Sequence, residues 1–288
     1  MQIIDTHAHL YDLAEPEAVL SACASAGVSD VVALGVDLAS NRKHLELRRS
    51  ERKYPRLHVG LGLHPGNITP EEVERCFPFF RETLSAGGVA AIGETGLDYW
   101  YKWVRKDEAR KREQREVFDR HLALAREFDL PVVIHSRGAW RDCLDMLLAS
   151  GVRRADFHWY SGPEDVLREI LDGGFMISAT PSLSYSPEAR RAAVYAPLER
   201  ILVETDTPVA YAWPDRPASA VQPGPVLGAD IGTALAVAAG RPADPSGRIP
   251  SVPSDVWRTL ALLAELKGLP IEETLSAVNA NARRMFRI

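Results

Sequence analysis

Eight short runs of β-branched and apolar residues recur along the chain: "QIIDTHAHL", "SDVVALGV", "RLHVGLGLHP", "VAAIGETGLD", "LPVVIHSR", "ADFHWYSG", "GFMISATP" and "RILVETDTP". Helix-patterned segments separate them. "PEAVLSACASAG" has Pro16 near its start and Gly27 after its end, and residues 107 to 129 set Val117, His121, Leu124 and Phe128 on one face. Strands that alternate with helices pair in parallel through right-handed crossovers. Eight of them favour a closed sheet, a single (β/α)8 TIM-type barrel, over an open doubly wound sheet, and no G-x-G-x-x-G turn supports the open form. A length of 288 residues with 46% apolar content suits one such domain spanning 1–288. One stretch breaks the rhythm: nine of the twenty prolines fall between Pro208 and Pro253, around the small-residue run "LGADIGTALAVAAG". About 207–253 therefore reads as an elaborated loop after strand eight, holding a short helix and lying over the carboxyl-end mouth of the barrel.

The first strand carries two histidines one residue apart. Side chains alternate along a strand, so Asp5, His7 and His9 share one side while Ile4, Thr6 and Ala8 take the other. Alone, His-x-His fits packed histidines as well as a metal site. The strand map decides between them. Glu94 closes strand four, His135 strand five and His158 strand six, and Asp206 follows strand eight. Carboxyl ends converge in a barrel, so these six residues are expected to meet in one cavity. His44, His58 and His121, in helices or at a strand start, serve as contrasts and read as packing or surface residues.

Four imidazoles and two carboxylates exceed what one tetrahedral ion needs and suit a pair of divalent ions. Glu94 is the natural bridge, His7, His9 and Asp206 complete one site, and His135 and His158 the other. Asp206 can also take the proton of an attacking water, and Glu204, on the same face but deeper, supports the ligands from behind. Imidazole-rich donors favour zinc, manganese or nickel.

Charge and cysteine usage narrow the classes. A net charge of −5 argues against a broadly basic nucleic-acid surface or a polybasic membrane anchor, so an anionic substrate needs local cations. Cys23, Cys76 and Cys143 are odd in number and widely spaced, which fits neither a disulfide framework nor a C-x-x-C knuckle, and they are expected to be reduced and packed. With no membrane-length apolar stretch and a start that reads as a strand, a cytoplasmic location is expected.

In this order and at these separations, "DTHAHL", "GLHP", "GETGLDY", "LPVVIHSR", "FHWYSG" and "ETDTP" resemble the TatD family of metal-dependent deoxyribonucleases, among the amidohydrolase-like barrels. The resemblance runs from residue 3 to about 208 and resumes in "IEETLSAVNANARRMF". It implies hydrolysis of nucleic-acid phosphodiesters, often exonucleolytic, with single-stranded DNA as the expected substrate. It implies two divalent ions, magnesium among them, on residues matching His7, His9, Glu94, His135, His158 and Asp206. His64 in "GLHP" matches a family position near the metals and is assigned to the phosphate or the leaving oxygen. Three departures stand out: the proline-rich excursion replaces a short polar stretch after "ETD", with only "GRIP" and Arg248 similar to it; Gly138 stands where an acidic residue commonly follows "HSR"; and Trp159-Tyr160 replaces the usual pair between "FH" and "SG".

In the expected chemistry Asp206, Glu94 and His64 are catalytic, and Arg137 either clamps the phosphate or pairs with a neighbouring carboxylate. The alternative is a metal-dependent ester or amide hydrolase, either resembling aminoacyl-tRNA deacylases or acting on small amides; a third reading is a metal-bound docking module without catalysis. Tyr99, Trp100, Trp159, Tyr160 and Trp213 either stack bases or pack.

Overall fold

In the computed structural model, residues 1–50, 55–212 and 247–288 are described. The eight expected strands form one sheet in chain order: β1 (Ile3–Ala8), β2 (Val28–Leu34), β3 (Arg56–Leu61), β4 (Ala91–Gly96), β5 (Val132–His135), β6 (Ala155–Phe157), β7 (Met176–Ala179) and β8 (Ile201–Val203). Helices follow the strands: α1 (Pro16–Ser25), α2 (Leu38–Arg49), α3 (Pro70–Ala86), α4 (Glu108–Glu127), α5 (Trp140–Ser150), α6 (Glu164–Asp172), α7 (Pro187–Tyr195), α8 (Val256–Lys267) and α9 (Ile271–Phe286). This is the (β/α)8 barrel topology.

The chain divides into two compact units. The first takes β1, α1, nearly all of β2, then β8 and the helices around it. Here β8 runs beside β1: Thr6 Oγ1 donates to Val203 O at 2.9 Å, and His9 N donates to Thr207 O at 2.6 Å. β1 and β2 pair in parallel, and both are buried along their whole length, which is why they read as apolar runs rather than alternating ones. The second unit holds α2, the end of β3, and β4 through most of β7 with α3 to α6. β4 pairs with β5, β5 with β6, and β6 with β7, each in parallel. Its helices start on local signals: the Thr69 hydroxyl accepts from Glu72 N to open α3, and the Asp107 carboxylate accepts from Ala109 N and Arg110 N to open α4.

The proline-rich excursion leaves and returns through a ribbon. β9 (Ala210–Tyr211) pairs antiparallel with β10 (Ile249–Pro250), and Ser251 N donates to Val209 O. The short helix expected between them, and Trp213, lie outside the described residues. All three cysteines are free thiols buried in the core, as their spacing led us to expect. No described helix is long and apolar enough to cross a membrane.

Candidate metal centre

β1 ends at Ala8, with His7 inside the strand and His9 just past its end. His7 Nε2 and His9 Nε2 stand 3.2 Å apart, and Asp206 Oδ1 lies 3.5 Å from the first and 3.2 Å from the second. Donors held by one tetrahedral ion at about 2.0–2.1 Å sit roughly 3.3–3.4 Å from each other, so this triangle has the size of a metal site. Backbone pairing builds it: Asp206 N donates to His7 O at 3.0 Å, locking the loop after β8 to β1. Asp206 takes a left-handed conformation with φ of 51°, which Asp tolerates better than most residues.

Beneath the triangle lies a fully buried acidic layer. Glu204 Oε2 is 3.4 Å from His7 Nδ1, the arrangement by which a carboxylate orients a ligating imidazole. The Asp5 carboxylate accepts from Thr205 N at 3.0 Å and Thr205 Oγ1 at 2.7 Å. Burial pushes the Asp5 carboxyl well above its ordinary value, against the pull of the Thr205 and His7 hydrogen bonds. Burial, with Asp206 and Glu204 nearby, likewise raises the Tyr211 phenol, whose hydroxyl donates to Thr205 O at 2.8 Å.

In the second unit Glu94 is the centre. Its Oε1 lies 2.8 Å from His135 Nδ1, 3.3 Å from His158 Nε2 and 3.6 Å from His64 Nε2. Burial alone would raise this carboxyl, but His64 and His158 charge and the His135 hydrogen bond hold it well below the ordinary carboxylate range. The strand approaches its neighbour closely here. A Cβ on Gly62 would collide with the Gly93 and Glu94 backbone, so only glycine lets the two segments pass.

His64 is more constrained than sequence alone suggests. Gly66 N donates to its Nδ1 at 3.0 Å, so in the neutral ring Nε2 carries the proton and faces the Glu94 carboxylate 3.6 Å away. That tautomer suits a hydrogen bond to substrate better than a metal bond. Arg137 resolves as an ion pair: its Nε and Nη2 both lie 2.8 Å from Asp98 Oδ2, while its side chain remains 48% exposed.

Asp98 escaped the sequence reading, although "GETGLD" places it at the same parity as Glu94 and Gly96. It is buried and its Oδ2 lies 2.8 Å from His135 Nε2, so His135 is gripped by carboxylates at both ring nitrogens. Burial lowers the His135 ring, but Asp98 and Glu94 outweigh it and leave the ring raised. Asp98→Asn keeps the volume and removes the charge. It is expected to cost about 10–100-fold in metal affinity or kcat/KM, read by metal titration and steady-state kinetics.

His121 is the second surprise. Fully buried against Phe77 and Phe80, it was expected only to pack, yet its Nε2 accepts from Leu63 N at 3.2 Å while Nδ1 donates to Val117 O at 2.8 Å. Burial lowers its pKa to about 4, so it stays neutral and ties α4 to the residue preceding His64. His44 is also buried, whereas His58 is partly exposed in β3.

The comparisons bear on both clusters. The family model described as TatD related DNase matches residues 4–287. The chain belongs to the TatD-related DNase family. Relatives of the TatD type extend over its full length: the metal-dependent hydrolase YabD of Bacillus subtilis is 28% identical, covering 99% of both chains. Deoxyribonuclease TATDN3 of Homo sapiens is 27% identical, covering 99% of this chain and 94% of its own. The crystal structure of YJJV, a TatD homologue from Escherichia coli, superposes with a TM-score of 0.75 at 26% identity, covering 99% of this chain and 98% of its own. As a member of this family the chain is a metal-dependent hydrolase, and its histidine and carboxylate donors fit divalent ions.

Proposed function

We propose that this TatD protein hydrolyses phosphodiester bonds of single-stranded DNA with two divalent ions, one held by His7, His9 and Asp206, the other by Glu94, His135 and His158. The observation that carries the reading is a pair of donor clusters at carboxyl ends of strands in a parallel sheet: His7, His9 and Asp206 at ion-ligand spacing, and Glu94 Oε1 with His135 and His158 nitrogens 2.8 and 3.3 Å from it. A human relative named a deoxyribonuclease supports the choice of bond. Bound there, the ions would neutralise charge on the phosphoryl oxygens and bring the pKa of water towards neutrality.

The chain's own groups supply the rest. Asp206 has a second carboxylate oxygen with which to take a proton from the attacking water. His64 Nε2–H donates to the phosphate or the leaving oxygen, its tautomer set by Gly66 N. Arg137 spends Nε and one terminal nitrogen on Asp98, which leaves Nη1 for a phosphoryl oxygen.

End-labelled single-stranded DNA, incubated with purified protein of known metal content, tests this directly. Cleavage is expected to need about two bound ions per chain, zinc, manganese or magnesium, and to stop on chelation. Activity confined to aminoacyl esters or cyclic amides would overturn the phosphodiester assignment.

A further inference from the structure

The segment joining β4 to α4 reads "LDYWYKWVRKD", with aromatic and basic residues interleaved. Two of its indoles face solvent: Trp100 is 65% exposed and Trp103 47%. Leaving two of the largest apolar side chains in water a few residues apart is unusual unless something covers them. They are also ordered. Tyr101 stacks on Trp103 with ring centroids 5.3 Å apart and planes 18° from parallel, so one indole face is covered and the ring is held flat. Trp100 lies over Gly138, where any Cβ would displace its indole. The aspartate or glutamate that the TatD resemblance leads one to expect at 138 would not fit beneath this ring.

The ring stack leads to the metal-competent cluster. Arg137 Cζ sits 5.1 Å from the Tyr101 ring centroid, and the same guanidinium reaches Asp98, which holds His135. Around the indoles Lys102, Arg105 and Lys106 are exposed. The nearest acids are engaged locally: Asp107 caps α4, and Glu108 bonds Lys111 at 2.7 Å. In a chain of net charge −5, this is the local cationic surface that an anionic polymer needs. Two other aromatics singled out in the sequence, Tyr99 and Tyr160, are occupied. The Tyr99 hydroxyl bonds Asp142 and Arg115, and Tyr160 is buried with its hydroxyl on Pro163 O.

We propose that Trp100 and Trp103, backed by Tyr101, are a stacking platform for unpaired bases of single-stranded DNA, with Lys102, Arg105 and Lys106 on the adjoining phosphates. Flat aromatic faces beside cations bind single strands without reading sequence, because every base offers a π-face. Duplex DNA keeps those faces stacked internally, so the platform selects strands or ends that are already unpaired. The proposal rests on the nuclease reading for its ligand, but its test does not need turnover.

Binding is read by anisotropy in chelator, which prevents cleavage, using labelled oligo-dT, an abasic strand of equal length, and a duplex. The wild-type chain is expected to bind oligo-dT about ten- to a hundredfold more tightly than the abasic strand. Trp100→Ala with Trp103→Ala should erase that difference, and Trp103→Phe alone should keep most of it. Equal affinity for dT and abasic strands in the wild type, a preference undiminished in the double variant, or equally tight duplex binding would each overturn the platform. Hydrolysis of bis(p-nitrophenyl) phosphate, a diester without bases, is measured alongside. Failure there with base-dependent binding intact removes the nuclease reading and leaves the platform; turnover with base-blind binding does the reverse.

Discussion

Glu94→Ala is expected to lower kcat/KM on single-stranded DNA by about a thousandfold or more, equivalent to roughly 4 kcal/mol of lost transition-state stabilisation. The size follows from its position. One oxygen of this carboxylate faces three imidazoles, on His64, His135 and His158, and the group is buried, so no solvent anion replaces it. Removing it takes away the carboxylate that these three imidazoles share, and leaves His135 with Asp98 at its other ring nitrogen. Glu94→Gln separates shape from charge: the amide keeps the volume and one oxygen but cannot hold a cation as a carboxylate does. It should therefore fall close to the alanine variant rather than to the wild type. Metal analysis of the same preparations reads the bridging role expected from the sequence. Loss of both ions fits a shared ligand, and loss of one assigns Glu94 to a single ion. Undiminished cleavage with either substitution would end the assignment.

The strands that carry the donors were legible because each buried run is short, β-branched and bounded by a turn residue or a helix start. Once those runs were ordered, His7, His9, Glu94, His135, His158 and Asp206 fell at carboxyl ends, a regularity that no single motif supplies. Asp98 was not legible for a different reason. It lies past the end of β4, where Leu-Asp-Tyr reads as turn chemistry, and its role depends on the ring nitrogen of a histidine 37 positions away. His121 shows the same limit from the other side. A histidine between Val117 and Leu124 on a helix face reads as packing, and it does pack. Its further bond to Leu63 N involves a backbone donor that sequence pattern cannot assign. The β9–β10 ribbon was missed because Pro250 sits inside a two-residue strand, and proline removes a ladder donor.

Trp257→Ala is expected to give the largest loss of stability, about 3–5 kcal/mol, which for a chain of this size lowers Tm by roughly 6–20 °C. Trp257 is 1% exposed and is among the largest fully buried side chains. Its indole Nε1 donates to Ala26 O at 2.8 Å, and its ring lies against Gly27, whose φ of 85° and crowded Cβ position admit glycine alone. The variant therefore combines a cavity with an unsatisfied carbonyl at the turn between α1 and β2. The same helix holds the rear of the first donor triangle. α8 packs on β1 and β8, and Thr259 Oγ1 donates to Glu204 O at 3.1 Å, just before the residues that pair with Asp5 and present Asp206. Loosening α8 should thus weaken binding of the ion proposed for His7, His9 and Asp206 before it affects the Glu94 cluster. Differential scanning calorimetry with and without added metal reads both effects. The expected result is a lower Tm together with a smaller metal-induced rise than in the wild type, because a ligand stabilises the fold only as far as the folded state binds it. A variant that melts with the wild type would show that α8 is not the anchor of this end of the barrel. A lower Tm with an unchanged metal-induced rise would confine Trp257 to packing and leave the donor triangle independent of it.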